Sequence, residues 1–464
     1  MCRQMESGNM IHQYKLNGYN IVIDVNSGSI HVVDDVAYDI IGMYEERPRD
    51  EIRRIIKEKY DVSDEDIAEV FDDIEQLIDE KKLFSEDIFY DAAKEFKERQ
   101  SVLKAICLHV AHDCNMDCEY CFAGKGHYHG DRGLMSYETG KRALDYLVEN
   151  SPGRHNLEVD FFGGEPLLDW DVVKKLVAYG RSLEKENDKN FRFTLTTNGI
   201  LLDDEVIDFT GREMSNVVIS LDGRKEVNDR MRRTKNGGGT YDLIVGKFKK
   251  LADARGQKDY YMRGTYTANN LDFASDVLHM ADLGFKELSI EPAVSSPEEP
   301  YALKDEHVEK LCSEYERLAL EMIRRRKEGR GFTFYHYMID LTGGPCISKR
   351  ISGCGVGTEY MAVTPEGDLY PCHQFVGDKN FKLGTIFDGV QRPEVLQQFR
   401  SCNVYSHEEC RDCFARLYCS GGCAANAFHS TGSVSGVYEL GCRLHRKRIE
   451  CAIMMKVSEL FENQ

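Results

Sequence analysis

Three cysteines in one short segment are the residues of this chain best suited to chemistry. Cys114, Cys118 and Cys121 have Cx3CxxC spacing after a strand-like apolar run, which places three thiols in one tight loop. Three ligands are one fewer than a closed structural metal site needs. An iron-sulfur cubane held by them keeps one iron free to bind another molecule, as a catalytic cluster requires. A zinc knuckle with His112 as the fourth ligand is the alternative.

A glycine-rich turn follows the next predicted strand. It contains Gly163, Gly164 and Glu165 in the run Phe-Phe-Gly-Gly-Glu-Pro. Glycine lets backbone approach a ligand without a Cβ in the way, and a carboxylate accepts hydrogen bonds from an ammonium group. Alone, such a turn is typical of an ordinary loop. Its position one strand after the cysteine triad indicates a binding site.

The region from 104 to about 328 alternates between strand and helix patterns. Strands are predicted at 104–110, 157–162, 191–197, 216–220, 259–266 and 286–290. Helices are predicted at 137–150, 170–187, 202–210, 240–254, 271–283 and 305–327. Six such units with right-handed crossovers predict an α/β fold, a parallel sheet curled into an open, partial (β/α)6 barrel. Active sites of parallel barrels lie at the C-terminal strand ends, where the triad is expected.

The segment before the barrel predicts a small unit of strands followed by helices. Alternating apolar residues indicate one face of a hairpin strand: Tyr19, Ile21, Ile23 and Val25. The turn is expected at 26–29. Spacing of three and four residues between Ile67 and Ile78 predicts an amphipathic helix with Ser63 as its N-cap. The charged stretch 91–100 predicts a helical linker.

A second set of cysteines lies in the last third of the chain. Cys354 is followed by Gly367 and Cys372, and the dense run then has Cx2Cx5Cx3C spacing. The further cysteines are Cys410, Cys413, Cys419, Cys423 and Cys442. Two zinc ribbons are the alternative to iron-sulfur clusters here, although the interleaved run suits clusters better.

Composition limits the class of protein. The chain has 464 residues, 42% of them hydrophobic, and sixteen cysteines. It opens without an apolar signal region, so we expect reduced or metal-bound thiols in the cytoplasm. No run approaches the roughly 18 apolar residues of a membrane span. The net charge of −19 argues against a broad nucleic-acid surface.

The triad and the Gly-Gly-Glu-Pro turn together resemble the radical S-adenosylmethionine (SAM) superfamily, in which SAM chelates the free iron. The resemblance implies that Gly163, Gly164 and Glu165 hold the SAM amino group. It places ribose and carboxylate contacts at Asn198, Ser220 and Arg232, and an aromatic neighbour of the adenine at Tyr120. Asn198, Ser220 and Arg232 could each be a solvated turn residue instead, and Tyr120 could pack under the loop.

The C-terminal spacing resembles the SPASM extension of radical SAM peptide maturases, which holds two auxiliary [4Fe-4S] clusters. With the triad, three clusters are implied. One auxiliary set would comprise Cys354, Cys372 and Cys423, and the other Cys410, Cys413, Cys419 and Cys442. The first has only three ligands. Cys346 could close it, or an open iron could bind a thiolate of the substrate.

The first 90 residues resemble the PqqD-like recognition element, which binds a leader peptide as an added strand. With it the resemblance covers nearly the whole chain and is greatest to the thioether-forming maturases of six-cysteine peptides (SCIFF maturases). It implies a winged-helix-like domain at 1–90, a radical SAM barrel at 91–335 and a SPASM domain at 336–464. The implied partners are a cysteine-rich precursor peptide and a reductant such as flavodoxin or ferredoxin, without nucleic acid or membrane.

The implied reaction begins with electron transfer to SAM and gives a 5′-deoxyadenosyl radical. The radical removes hydrogen from a peptide carbon, which then bonds to a cysteine sulfur. Rivals are carbon-carbon crosslinking, epimerisation and sulfatase-type oxidation. Sulfatase-type oxidation is disfavoured because His373 follows Cys372 at the position where sulfatase-maturating enzymes carry an Asp. There are two rivals from other classes of protein. One is a nucleic-acid enzyme or an iron-sulfur regulator with an N-terminal winged helix, and the other is a plain electron carrier.

Overall fold

The chain begins with a three-stranded antiparallel sheet covered by helices. The computed structural model describes residues 10–95, 102–341 and 346–462. The elements of the N-terminal unit, residues 10–95, are β1 (Ile11–Leu16), β2 (Tyr19–Asp24), β3 (Ile30–Val33), α1 (Asp35–Met43), α2 (Arg49–Lys59), α3 (Asp64–Asp79) and α4 (Phe89–Glu95). The sheet order is β1-β2-β3. The predicted hairpin is therefore present, whereas the winged-helix-like, PqqD-like assignment stays a prediction. The predicted linker 91–100 is helical to residue 95, and its remainder lies outside the described residues.

Strand β2 is buried on both faces because its alternate residues enter two different cores. Val22 packs with buried isoleucines and Phe71 of α1, α2 and α3. Ile21 and Ile23 point the other way and join the large core that also contains the barrel strands. This follows from the two-residue period of a strand. The sheet is thus an internal layer between its own helices and the rest of the molecule.

Helix α3 begins at a capping box, as its sequence predicts. The Ser63 side chain accepts a hydrogen bond from the backbone N–H of Asp66, and the Asp66 carboxylate accepts one from the N–H of Ser63. These two bonds satisfy donors that a helix N-terminus otherwise leaves unpaired. Ile67, Phe71 and Ile74 then form the buried stripe of the helix.

The body of the molecule is a mixed sheet of eleven strands. Its first seven strands in chain order are β4 (Ala105–Ala111), β5 (Asn156–Gly163), β6 (Asn190–Thr197), β7 (Met214–Ser220), β8 (Tyr260–Tyr266), β9 (Glu287–Pro292) and β10 (Thr333–Phe334). The helices between and after them are α5 (Tyr137–Glu149), α6 (Trp170–Asn187), α7 (Asp204–Glu213), α8 (Lys225–Met231), α9 (Tyr241–Ala254), α10 (Phe273–Asp282) and α11 (Val308–Lys327). All seven strands are parallel neighbours in sequence order, as successive βα crossovers produce.

The C-terminal part extends this same sheet. Its elements are β11 (Tyr360–Val363), β12 (Asp368–Tyr370), β13 (Gly384–Thr385), β14 (Gly389–Val390), α12 (Ile347–Ser352), α13 (Pro393–Arg400), α14 (Arg416–Cys419), α15 (Ala424–Thr431) and α16 (Glu439–Glu462). Strand β11 pairs in parallel with β4, and β12 to β14 continue as an antiparallel meander.

The six predicted barrel strands and their helices are confirmed, with two additions. Strand β10 adds a seventh parallel strand beside β9, and β11 extends the sheet beyond β4. In the described residues the sheet is open, with β10 and β14 at its edges. Helix α16 packs against α11 and β1 and so joins the barrel to the N-terminal unit. No helix among the described residues is long and apolar enough to cross a membrane.

Because β2 is buried on both faces, truncating one of its side chains should lower the free energy of unfolding strongly. Replacing Ile23 by Ala should destabilise the protein by about 2–5 kcal/mol, since it removes a fully buried side chain. The matched control is Ile88→Ala, because the Ile88 side chain is 73% exposed. Urea unfolding followed by circular dichroism gives the comparison. Equal midpoints for the two variants would contradict the internal position of the sheet.

Candidate functional site

A cavity of about 1400 Å³ opens at the C-terminal ends of the parallel strands. Its barrel side carries the cysteine triad, Gly163 to Glu165, and residues after β6 and β7. The same cavity is lined by five of the C-terminal cysteines, Cys410, Cys413, Cys419, Cys423 and Cys442. The cavity therefore brings together two groups of cysteines that lie far apart in the sequence.

The triad loop keeps its thiols close to one another and partly buried. Burial, followed by the neighbouring Glu165, raises the pKa of Cys114 to about 12. Burial raises the pKa of Cys118 to about 11, against the lowering effect of Arg232. Cys121 interacts electrostatically with both thiols. Since metal ligands are thiolates, binding of iron here must displace these protons.

His112 does not join the triad. Its Nε2 lies 3.1 Å from His109 Nδ1, its ring stacks on Tyr128, and burial lowers its pKa to about 4. Throughout the described ranges, no group of three or more His, Cys, Asp or Glu side chains is arranged to hold a metal ion. A single zinc ion needs ligands that converge on one point. In a cubane each thiolate binds a different iron, so three thiols without His112 match the ligand number of an open cluster and not that of a closed zinc knuckle.

Gly163 and Gly164 hold the end of β5 directly against the triad loop. The N–H of Gly164 donates to Ala111 O at 2.7 Å, and that of Glu165 donates to Asp113 O at 2.9 Å. A Cβ on Gly164 would lie 2.1 Å from Asp113 O. Gly163 has φ +123°, and a Cβ there would lie 2.3 Å from Ala111 O. Besides lining the cavity, where the sequence predicts that they admit a ligand, these glycines admit the backbone that carries the cysteines.

Glu165 is a buried carboxylate held by neutral donors. Its Oε1 accepts hydrogen bonds from Thr197 Oγ1 at 2.7 Å and Leu167 N at 3.1 Å. Its Oε2 accepts one from Asn198 N at 2.8 Å. Burial raises the pKa of Glu165 to about 7 although these bonds favour the charged form. Asn198 in turn donates from Nδ2 to Asn115 Oδ1 at 2.8 Å and lies 3.6 Å from Cys114 Sγ.

Tyr120, Asp222 and Arg232 form a buried network beside the triad. The Tyr120 hydroxyl donates to Asp222 Oδ2 at 2.6 Å and accepts from Arg232 Nη1 at 3.1 Å. Burial raises the pKa of Asp222 to about 6, against the lowering effect of Arg232. Sequence reasoning named Tyr120 and Arg232 but missed Asp222 as a partner. Its position directly after β7, two residues beyond Ser220, was the available signal.

Charged residues of β8 and β9 complete the barrel side of the cavity, and sequence reasoning missed them too. Arg263 Nη2 lies 2.8 Å from Glu291 Oε2, and both side chains line the cavity near Ser220. Burial would raise the pKa of Glu291, but Arg263 and then His336 lower it to about 2. Successive side chains of a strand point to opposite faces of the sheet, and this alternation does not show which face lines the cavity. Sequence alone therefore did not identify Arg263 and Glu291 as cavity residues.

The C-terminal cysteines separate into two groups. Cys354, Cys372 and Cys423 interact electrostatically with one another. Cys410, Cys413, Cys419 and Cys442 form a second interacting group. Burial raises the pKa of Cys410 and of Cys442 to about 12. The two groups contain the same cysteines as the two ligand sets that the SPASM resemblance implies, and Cys402 also interacts electrostatically with Cys354.

The three-thiol group lies partly behind the main cavity. Cys423 lines that cavity, whereas Cys354 lines a separate one of about 70 Å³. Cys346 is exposed at the start of α12, and the four residues before it lie outside the described part of the chain. His373 packs against Phe122 and Phe162, and burial lowers its pKa to about 4.

Two domain families match the chain. Residues 108–274 match the Radical SAM superfamily, and residues 354–414 match SPASM, an iron-sulfur cluster-binding domain. The chain therefore contains a radical SAM domain followed by a SPASM domain. These two domains imply SAM and [4Fe-4S] clusters as cofactors.

Several known proteins are similar to this chain. An uncharacterized protein of Archaeoglobus fulgidus is 26% identical over 72% of this chain and 77% of its own length. A cysteine-type anaerobic sulfatase-maturating enzyme of Clostridium novyi is 25% identical over 68% and 86%. The structure of anSMEcpe with bound AdoMet and the Cp18Cys peptide covers 78% of this chain and 99% of its own, with a TM-score of 0.63 and 21% identity. That of Streptococcus suis SuiB bound to its precursor peptide SuiA covers 92% and 98%, with a TM-score of 0.53 and 16% identity. The structural matches show the α/β radical SAM fold.

The close contact between Gly164 and Asp113 O predicts that Gly164→Ala displaces the triad loop. The new methyl group would collide with Asp113 O, which cannot move without displacing Cys114. We expect the variant to lose one cluster's worth of iron, measured by iron analysis after anaerobic reconstitution. Gly246→Ala is the control, because a Cβ on Gly246 meets no atom within 4 Å. Full iron content in Gly164→Ala would show that the loop tolerates the displacement.

Proposed function

We propose that this protein is a radical SAM peptide maturase that forms a thioether between a cysteine sulfur and a carbon of another residue in a ribosomally made, cysteine-rich peptide. The observation that carries the proposal is the shared cavity. At about 1400 Å³ it exceeds the usual range of roughly 300–1,000 Å³ for small-molecule pockets, so it suits a peptide segment beside SAM. The triad and five of the auxiliary cysteines line that same space.

Glu165 is the carboxylate that we assign to the SAM amino group. Among the acidic residues near the triad, Glu291 is paired with Arg263, and Asp222 is linked to Arg232 through Tyr120. Glu165 accepts hydrogen bonds only from neutral groups among its described contacts. A carboxylate has about four acceptor sites, so one remains for an ammonium.

The other SAM contacts surround Glu165 and the triad. Tyr120 and Asp222 fix the orientation of Arg232, which suits a bidentate partner for a carboxylate. Asn198 lies next to Cys114, and Ser220 lines the same cavity at the end of β7. Gly163 and Gly164 act by positioning the cysteine loop. With Tyr120, these residues form the SAM site that we propose.

Three [4Fe-4S] clusters would be held by the three groups of thiols. The ligands are Cys114, Cys118 and Cys121 in the barrel, Cys354, Cys372 and Cys423 in one auxiliary set, and Cys410, Cys413, Cys419 and Cys442 in the other. When bound with SAM, the triad cluster supplies reductive cleavage to a 5′-deoxyadenosyl radical. The surrounding chain binds and orients SAM and excludes water from it.

The N-terminal unit offers an edge for the leader peptide. Strand β3 is the last strand of its sheet and pairs with β2 alone within the described residues. An extended peptide can pair with such an edge through its main chain. We therefore propose that the leader adds beside β3, and that a flavodoxin or ferredoxin supplies electrons.

Sulfatase-type oxidation is the second candidate, favoured by the sulfatase-maturating relatives. In this chain His373 occupies the position of the Asp that those enzymes carry, and burial lowers the pKa of its imidazole to about 4. A radical SAM cyclopropyl synthase, TigE of Paramaledivibacter caminithermalis, is 22% identical over 74% of this chain and 72% of its own length, and it represents carbon-carbon bond formation. The mass and thiol content of the product separate these reactions.

The experiment is anaerobic incubation of the reconstituted enzyme with SAM, dithionite and a cysteine-rich precursor peptide encoded near it. A thioether product should lose two hydrogens and one alkylatable thiol, as measured by mass spectrometry before and after iodoacetamide treatment. A carbon-carbon link would lose two hydrogens and keep every thiol, and epimerisation would change neither. Oxidation of cysteine to an aldehyde would remove the sulfur.

The Cys114→Ala, Cys118→Ala, Cys121→Ala triple variant is the negative control. It should make no product and no 5′-deoxyadenosine, because no thiols remain in the triad loop. Production of 5′-deoxyadenosine by this variant would defeat the radical assignment.

The buried Glu165 predicts pH-dependent binding of SAM. The ionised carboxylate binds the ammonium, and its pKa in the free protein is about 7. Affinity should therefore fall by roughly tenfold per unit as the pH drops below 7, and should level off above it. Isothermal titration calorimetry at pH 6 and pH 8 measures the difference.

Two variants separate Glu165 from other acidic groups in this test. Glu165→Gln should bind SAM weakly and lose the difference between pH 6 and pH 8. Asp160→Asn should retain it, because Asp160 is a buried β5 carboxylate, with a pKa of about 6 raised by burial, that is not among the cavity-lining residues. A Glu165→Gln protein with the pH dependence of the wild type would exclude Glu165 as the ammonium partner.

A further inference from the structure

Arg416 joins the cysteine-rich C-terminal part to the N-terminal unit. It lies between Cys413 and Cys419 and is only 5% exposed. Its Nη2 donates to Asp87 Oδ2 at 2.8 Å and to Asn26 Oδ1, while its Nη1 donates to Arg411 O. Asp87 also accepts a hydrogen bond from Tyr405 at 3.0 Å. One guanidinium therefore ties the cluster loop, residues 410–419, which carries three of the four thiols, to two points of the N-terminal unit.

The receiving side of this contact is itself rigid. Asp24 at the end of β2 accepts hydrogen bonds from the N–H groups of Asn26 and Ser27 and from Ser85. Asn26 Nδ2 donates to Ser85 O at 2.7 Å. These hydrogen bonds join the β2–β3 turn to the segment before Asp87 without involving Arg416.

A second contact involves Phe414, the residue directly after Cys413. The ring of His12 in β1 stacks on Phe414, with centroids 3.6 Å apart and an interplanar angle of 2°. His12 Nε2 lies 3.0 Å from Glu450 Oε1, and Tyr14 donates to Glu450 O at 3.0 Å. Both Phe414 and Arg416 are inside the Cys413–Cys419 interval, so the N-terminal unit contacts the loop twice between two of its thiols.

We propose that the N-terminal unit is a structural part of the four-thiol cluster site, with Arg416 as the positioning residue that fixes the Cys413–Cys419 loop. This deepens the proposed function, since it rests on a cluster held by Cys410, Cys413, Cys419 and Cys442. The guanidinium of Arg416 fixes the loop through several hydrogen bonds at once, and its positive charge is neutralised by the Asp87 carboxylate. The unit that recognises the peptide and the cluster loop then act as one rigid body.

The test compares Arg416→Met and Arg416→Lys with Arg325→Met in the reconstituted full-length protein. Arg325 is the matched control because it is 7% exposed and pairs with Asp282 and Glu321, far from any cluster thiol in its described contacts. Iron content and electron paramagnetic resonance (EPR) spectra are measured without peptide. The four-thiol signal is the one that disappears in Cys413→Ala, Cys419→Ala, and the triad signal serves as the internal standard.

We expect Arg416→Met to lose the four-thiol signal and its iron, and Arg416→Lys to keep the iron with an altered spectrum, since lysine keeps the charge but not the fork. Arg325→Met should match the wild type. Unchanged iron, spectrum and reduction potential in Arg416→Met would overturn the inference. If that variant does not fold, Asp87→Asn decides, because removing an anion beside the loop should raise the reduction potential of this cluster, and an unchanged potential would overturn the inference.

These readouts separate this inference from the reaction that we propose. A wild-type enzyme that makes no thioether would defeat the proposed reaction and leave the result for Arg416 intact. Full iron content in Cys413→Ala, Cys419→Ala would defeat the cluster assignment and this inference together.

Discussion

The close approach of two backbone segments at the ends of β4 and β5 determines where all other parts of the site lie. Ala111 O and Asp113 O accept hydrogen bonds from Gly164 and Glu165, and only glycine leaves room for that contact. The triad loop is thereby fixed at the C-terminal edge of the sheet. Glu165 is carried into the same space by the turn that supplies the glycines, so the thiols and the carboxylate are positioned by one contact.

The second constraint is the distribution of charge around the cavity. Arginine compensates the acidic residues at the ends of β7 and β9, directly at Glu291 and through a tyrosine at Asp222. Among its described contacts the carboxylate after β5 accepts hydrogen bonds from neutral donors, and burial raises its pKa to about 7 against the lowering effects of these bonds and of Arg232. Buried charge is unfavourable unless it is compensated, so a cationic group bound beside Glu165 would stabilise its ionised form.

The sequence was sufficient for features that depend on local periodicity. The six βα units, the Ser63 cap and the hairpin face follow from spacings within about twenty residues, and the structure contains them. The partners of Tyr120 and Arg416 could not be predicted in this way. Tyr120 and Asp222 are 102 residues apart, and Asp87 and Arg416 are 329 apart. Such pairs depend on how layers pack, as does the addition of β11 to β4.

Helix α16 has a consequence for how the first sheet becomes buried. His12 and Glu450 are separated by 438 residues, and Tyr14 and Glu450 by 436. The inner face of the first sheet is therefore completed by a helix that lies several hundred residues later in the chain. Contacts of such long range are slow to form, and exposed strands are prone to aggregation in the interval. Burial of this face therefore depends on a contact between distant parts of the chain, whereas the βα units are held by contacts of much shorter range.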